Sequence, residues 1–142
     1  MTRRGCRRHA GVMRLPRSAL AAAVLVAGPW VQAAELSDAS RREVDELLAR
    51  VGKSGCEFYR GGSWYNAEKA RDHLERKYRY LAVRNLLGSA EDFVVMGGTR
   101  SSMTNEPYAI RCGSAAAQPS AAWLTEELRT IRQATAKGGA VT

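Results

Sequence analysis

Five polar residues in this chain have the types and spacing for chemistry: Arg60, His73, Lys77, Ser101 and Ser102. His73 and Lys77 are four apart, which stacks them on one face of a helix. If the segment carrying Ser101 and Ser102 folds over that face, a hydroxyl meets the imidazole. A serine activated by a histidine is a hydrolase arrangement, and Glu91 or Asp92 would be the acid that orients the ring. The chain has no G-x-S-x-G elbow and no S-x-x-K motif, however. The competing interpretation is structural. His73 would bridge helix and loop by bonding a backbone carbonyl, and the two serines would cap a turn. The structural interpretation is preferred.

Two further groupings are binding candidates. Arg60 and Arg100 could hold an anion together with Lys77. Single arginines in such places more often form solvent-facing pairs worth less than about 1 kcal/mol. Tyr59, Trp64, Tyr65 and Tyr80 could form an exposed aromatic patch for sugar or protein, although core packing with the polar tips outward explains them better.

The first 33 residues read as a cleaved secretory signal. Arg3, Arg4, Arg7, Arg8, Arg14 and Arg17 precede the apolar run Ser18–Val31, and a small-residue cleavage pattern ends at Ala33. The run is short for a bilayer crossing, which needs roughly 20 residues, so an uncleaved anchor is the weaker alternative. Met13 opens a more ordinary signal than Met1 does. Cys6 lies before the apolar run and cannot be a lipidated residue at the cut.

Removing the signal changes the charge. The chain has 22 basic and 14 acidic residues, formally +8; without the six leading arginines, 16 face 14, or +2. A nucleic-acid protein would keep a basic patch after processing, so nucleic acid is not expected as a partner. Cys56 and Cys112 remain, and in an oxidising compartment two cysteines pair. Their bridge would contribute roughly 3–4 kcal/mol by loop entropy. A redox or metal pair is the alternative. There is no C-x-x-C, and His73 is the only histidine left, too small an inventory for four zinc ligands. No metal and no cofactor is expected.

The elements that must position these residues follow from pattern. Leu36 to Gly52 is helical, with Val44, Leu47, Leu48 and Val51 on one stripe and Ser40 and Glu43 as a capping box. Gly61-Gly62 between "CEFYR" and "SWYN" predicts a two-residue hairpin turn, with Cys56, Phe58 and Arg60 on one strand face. Asn66 caps a second helix whose inward side runs Ala70, Leu74, Lys77, Tyr78 and Leu81. Ser89 caps a short helix with Phe93 and Met96 inward, stopped by Gly97-Gly98. Thr99 to Pro107 is a loop, Tyr108 to Cys112 a strand, "GSAAAQP" a linker. Ser120 caps a last helix with Trp123, Leu124, Leu128 and Ile131 apolar. This predicts an α+β domain over 34–134, with a small antiparallel sheet of about three strands packed against three or four helices. Residues 135–142 read as a loose tail.

Several of these residues recur in a fixed order. Cys56 is followed by F-x-R-x-G (Phe58, Arg60, Gly62), A-x-x-H-L-x-x-K (Ala70, His73, Leu74, Lys77) and E-D-F (Glu91, Asp92, Phe93). Next come Ser101-Ser102, Pro107-Tyr108, Cys112 and Trp123-Leu124. The ordered set resembles the YfeK-like family of small bacterial periplasmic proteins, a domain of unknown function, from about Leu36 to Arg132. The resemblance implies an exported single-domain protein with no assigned activity. Gly61 stands where that pattern has Asn, and Asn105 where it has Gly; both residue types tolerate a left-handed backbone.

The expectation is an exported, non-enzymatic binding or accessory protein of the bacterial cell envelope, located in the periplasm. Its contact surface would be Arg60, His73, Lys77, Ser101 and Ser102, and its partner an envelope protein or a small ligand. No stable membrane insertion is expected after processing. The alternatives are a small periplasmic hydrolase using Ser101 or Ser102 with His73, and a structural envelope protein with no ligand.

Overall fold

Ser37, not Ser40, starts the first helix. The computed structural model describes residues 35–139, so the expected signal over 1–33, the Met13 start and Cys6 lie outside the described residues. Helix α1 spans Asp38–Lys53, and the Ser37 side chain accepts from the Ser40 amide. Ser40 is already helical, and its Oγ accepts from the Ser37 hydroxyl at 3.0 Å. Asp38 in the first turn favours the same start through the helix dipole. The stripe Val44, Leu47, Leu48 and Val51 is buried as its spacing requires.

Strands β1 (Glu57–Arg60) and β2 (Ser63–Asn66) form the expected hairpin, closing at the Arg60↔Ser63 pair. Gly61 and Gly62 both have positive φ, at 54° and 82°, the requirement of a tight primed turn. Asn66 then caps helix α2 (Ala67–Val83), its Oδ1 accepting from the Lys69 amide at 2.9 Å. Helix α3 (Ala90–Gly98) is capped by Ser89, whose Oγ accepts from the Asp92 amide.

One expectation about α3 is corrected: Met96 is 40% exposed, and Val94 takes the inward position beside Phe93. The helix ends at Gly98 as expected, without a left-handed turn at either glycine, and both are buried in its last turn. A Cβ on Gly98 would stand 2.3 Å from Leu124 Cδ1, and one on Gly97 2.7 Å from the Phe93 ring. Gly98 is small so that the last helix can approach, and Gly97 so that the Phe93 ring can lie against its own helix.

Strand β3 (Ala109–Arg111) pairs antiparallel with β1 on the side away from β2. A fourth strand, β4 (Gln118–Pro119), lies in the segment read as a linker and pairs with β3. The sheet therefore has four strands in the order β2-β1-β3-β4. Helix α4 (Ser120–Gly138) follows without a side-chain cap, and its first four-residue stretch beyond 134 covers part of the segment read as a tail. Ser120 is not a cap: it is 2% exposed and donates its hydroxyl to the Gly98 carbonyl, joining α4 to α3.

Helices cover one sheet face, with α2 on β1 and β2 and α4 on β3 and β4. Helix α1 crosses α2 and α4, and α3 packs against all three other helices. Phe93, Leu47, Ile110 and Leu124 are fully buried where these elements meet. Each such side chain contributes roughly 1.5–3 kcal/mol on burial. Cys56 and Cys112 are disulfide-bonded, with Cα atoms 4.4 Å apart, and tie the start of β1 to the end of β3. No helix among the described residues is long and apolar enough to cross a membrane.

Candidate functional site

The residues with chemical potential meet where α2 passes over the hairpin end. Arg60 is the last residue of β1, held there by the Gly61-Gly62 turn. His73 and Lys77 lie one turn apart on α2. The segment 99–107 closes on itself: Ser101 donates its amide to the Glu106 carbonyl, and Asn105, at φ 59°, donates its amide to the Ser101 carbonyl. Tyr108 then enters β3. All five expected residues, Arg60, His73, Lys77, Ser101 and Ser102, line one open groove of about 440 Å³, with Tyr65 and Tyr108 beside them.

The hydrogen bonds fix the protonation of His73. Arg60 Nη1 lies 3.1 Å from His73 Nδ1, and Tyr108 Oη 3.1 Å from Nε2. A guanidinium can only donate. Nδ1 is therefore the acceptor, and Nε2 carries the proton and donates to Tyr108. Tyr108 Oη also receives Lys77 Nζ at 3.5 Å. Lys77 makes its shorter bond, 2.9 Å, to the Arg100 carbonyl. The link from helix to loop carbonyl, expected of His73, is thus made by Lys77, whose longer stem reaches past the ring. His73 instead joins two side chains, one from the last residue of β1 and one from the residue just before β3.

The electrostatics agree with a neutral imidazole. Burial, reinforced by Arg60, Lys77 and Arg76, pushes His73 down to about 4. Burial and then Arg60 also lower Lys77. Burial raises the Tyr108 phenol, opposed by Arg60 and by a hydrogen bond with Ser101. Among the described residues, no aspartate or glutamate lines the groove. The Arg60 Cζ lies over the Tyr65 ring, 5.0 Å from its centre, and Lys77 Nζ lies 5.0 Å from the centre of the Tyr108 ring. Behind Arg60, His73 and Tyr108 is a small apolar cavity of about 30 Å³, reaching Phe58, Leu74 and Leu124. It has room for one water and no more.

A serine–histidine dyad is not formed. Both imidazole nitrogens are engaged by Arg60 and Tyr108. Ser101 Oγ accepts from the amides of Met103 and Thr104, at 3.3 and 3.2 Å, so this serine caps the turn. Ser102 is exposed on the groove rim. The acids considered for orienting the ring are elsewhere. Glu91 pairs with Arg132, which holds its carboxyl below the usual range, and Asp92 accepts from the Gly88 amide. Arg100 turns its guanidinium back to Asn105 and contributes only its carbonyl.

The aromatic patch is split. Tyr59 and Trp64 pack together at 5.4 Å on the sheet face away from the helices, with Arg111 4.1 Å over the indole. Tyr65 lines the groove, and Tyr80, on α2, has Arg84 from just past the end of that helix over its ring. Sequence reasoning missed Tyr108 as the hub of the site. The Pro107-Tyr108 pair marked it as a motif, but nothing local tells that its hydroxyl reaches α2. Among the described residues no cluster of His, Cys, Asp or Glu could hold a metal ion.

Comparison with known families adds one fact to this geometry. The profile of a family of unknown function (DUF5329) matches residues 38–132. The chain belongs to that family. The matched span runs from the first residue of α1 into α4, so it includes the whole groove and the disulfide. No curated protein and no solved structure matches the chain.

Proposed function

We propose that this member of the DUF5329 family is an exported, non-enzymatic binding or accessory protein of the bacterial cell envelope. Its contact surface is the groove of Arg60, His73, Lys77, Ser101 and Ser102. The observation that carries this reading is the engagement of His73. With both nitrogens held by Arg60 and Tyr108, the imidazole positions neighbouring groups and has no lone pair left for proton transfer. What faces solvent in the groove is a set of hydrogen-bond donors, which suits recognition. Export to the periplasm is supported by the signal pattern of residues 1–33 and by the Cys56–Cys112 bond, which needs an oxidising compartment to persist. The YfeK-like motif order points the same way. Cleavage after Ala33 would leave a single domain beginning at residue 34.

The test is native mass spectrometry of the protein recovered from the periplasm, comparing wild type with Ser102→Trp. Ser102 is exposed, so the indole fills the groove without entering the core. The expected result is a bound mass or partner on the wild type that the variant lacks, at an unchanged melting temperature. Equal occupancy of both proteins would overturn the assignment of the groove.

A further inference from the structure

The described residues contain four partly buried basic side chains, Arg50, Arg60, Lys77 and Arg111. Partly buried cations are expected to have a counter-charge, because leaving water costs them solvation. Arg50 has Glu127 at 3.0 Å, and Arg111 has Glu57 at 2.7 Å. Arg60 and Lys77 have no carboxylate within ion-pair distance among the described residues, and both face the same groove. Among the described residues, two of these partly buried cations are paired and two, facing one groove, are not.

We propose that the groove takes the oxyanion of a small ligand, a carboxylate or a phosphate, between Arg60 and Lys77. The inference rests on the binding reading above and names its ligand chemistry. Its geometry is specific. Arg60 is held at Nη1 by His73 and its Cζ lies 5.0 Å from the centre of the Tyr65 ring, and the remaining N–H groups of the fork have no protein acceptor among the described residues. A fork held in place loses little entropy on accepting a planar carboxylate or a phosphate edge. Lys77 uses its bonds to the Arg100 carbonyl and Tyr108, so one of its three N–H donors is unspent. The hydroxyls of Ser102 and Tyr65, both lining the groove, have no partner among the described residues. The site offers positive charge and, among the described residues, no carboxylate, which suits an anion and works against a cation. His73 is a positioning residue here: its lone pair aims Arg60.

The experiment is an amide and arginine-Nε NMR titration of the purified protein with inorganic phosphate and, separately, with acetate. Ionic strength is held constant with sodium chloride, because exposed charges respond to salt alone. The expected result is a saturable shift at Arg60 Nε, Lys77 and Ser102 with either or both anions. Saturation by phosphate alone assigns a phosphate ligand, and saturation by acetate with equal or greater affinity assigns a carboxylate. Lys77→Met, which keeps the stem and removes the charge, should weaken binding at least fivefold, and Ser102→Trp should abolish it. Shifts that rise linearly without saturation, or that are the same in Lys77→Met, would overturn the inference. The two readings fail separately. A neutral or cationic mass bound in the groove would end the anion inference and leave the binding function standing. Saturation by anion with no groove-dependent mass from the periplasm would do the reverse.

Discussion

Arg60 donates a guanidinium N–H to His73 Nδ1 at 3.1 Å, so a cation, and not an acid, sets the tautomer of the only histidine in the described residues. In a catalytic dyad a carboxylate supports the imidazole and favours its protonation. Here the sign is reversed. A proton added to Nδ1 would face an N–H already pointing at it, beside a positive charge.

That reversal predicts acid sensitivity in a defined window. The folded-state imidazole titrates at about 4 against 6.5 for the free side chain. Below pH 6.5 the unfolded chain takes up a proton that the folded chain refuses. Stability present above pH 6.5 is therefore lost as pH falls toward 4. After allowance for solvent screening at this half-buried position, the loss is of order 1–2 kcal/mol, or a fall in melting temperature of about 5 °C or more. Thermal melts from pH 7.5 to 4.5 check it. His73→Gln should remove this component, leaving only the loss from carboxylates such as Glu91 at lower pH. A wild-type melt that is flat across the window would contradict the protonation scheme.

Reduction of the disulfide is predicted to cost far more. Cys56 and Cys112 are 56 residues apart in sequence, and their link closes β1 against β3. Loop entropy puts its contribution at roughly 3–4 kcal/mol. Urea melts with and without dithiothreitol should differ by that amount. The Cys56→Ser and Cys112→Ser variants should match the reduced protein. A difference below about 1 kcal/mol would mean that sheet pairing alone holds the two strands.

Arg132 is predicted to matter less than its geometry suggests. From α4 it reaches Glu43 on α1, at 2.8 Å, and Glu91 on α3. The network joins three helices, but the Arg132 side chain is 43% exposed. Exposed pairs contribute about 0.2–1 kcal/mol each and weaken with salt. Arg132→Met should cost about 1 kcal/mol at low ionic strength and less in 0.5 M sodium chloride. Equal losses at both salt concentrations would assign the effect to packing of the side-chain stem.

How much was legible in the sequence depended on the range of the interaction. The Gly61-Gly62 turn, the Asn66 and Ser89 caps and the stripe of α1 are decided within a few residues, and each was readable. Ser37 and Ser40 are both plausible caps three residues apart, and their local patterns do not separate them. Ser120 has a cap-forming type, yet its hydroxyl is taken by Gly98 from another helix. Strand β4 has two residues and shows no alternation. The site followed the same rule. Helical spacing placed His73 beside Lys77. The roles of Tyr108 and Arg60 depend on strand register across 35 and 13 residues, which no local pattern carries.

Gly98 gives the sharpest test of packing, because two effects of opposite sign act at one atom. Replacing a helical glycine with alanine gains about 0.8–1 kcal/mol of helix propensity. At Gly98 the new Cβ would stand 2.3 Å from Cδ1 of Leu124, which is fully buried. The Gly98 carbonyl also holds the Ser120 hydroxyl, so moving the backbone aside would break that bond. Overpacking of a tight core costs about 1–3 kcal/mol, and the clash should win. Gly98→Ala is expected to lose about 1–2 kcal/mol in urea melts. Gly52→Ala is the control. Its Cβ would meet only the flexible Arg71 side chain, at 3.0 Å, so the propensity gain should survive there. If both variants gained stability, α3 and α4 would not be in the close contact that brings Ser120 to Gly98.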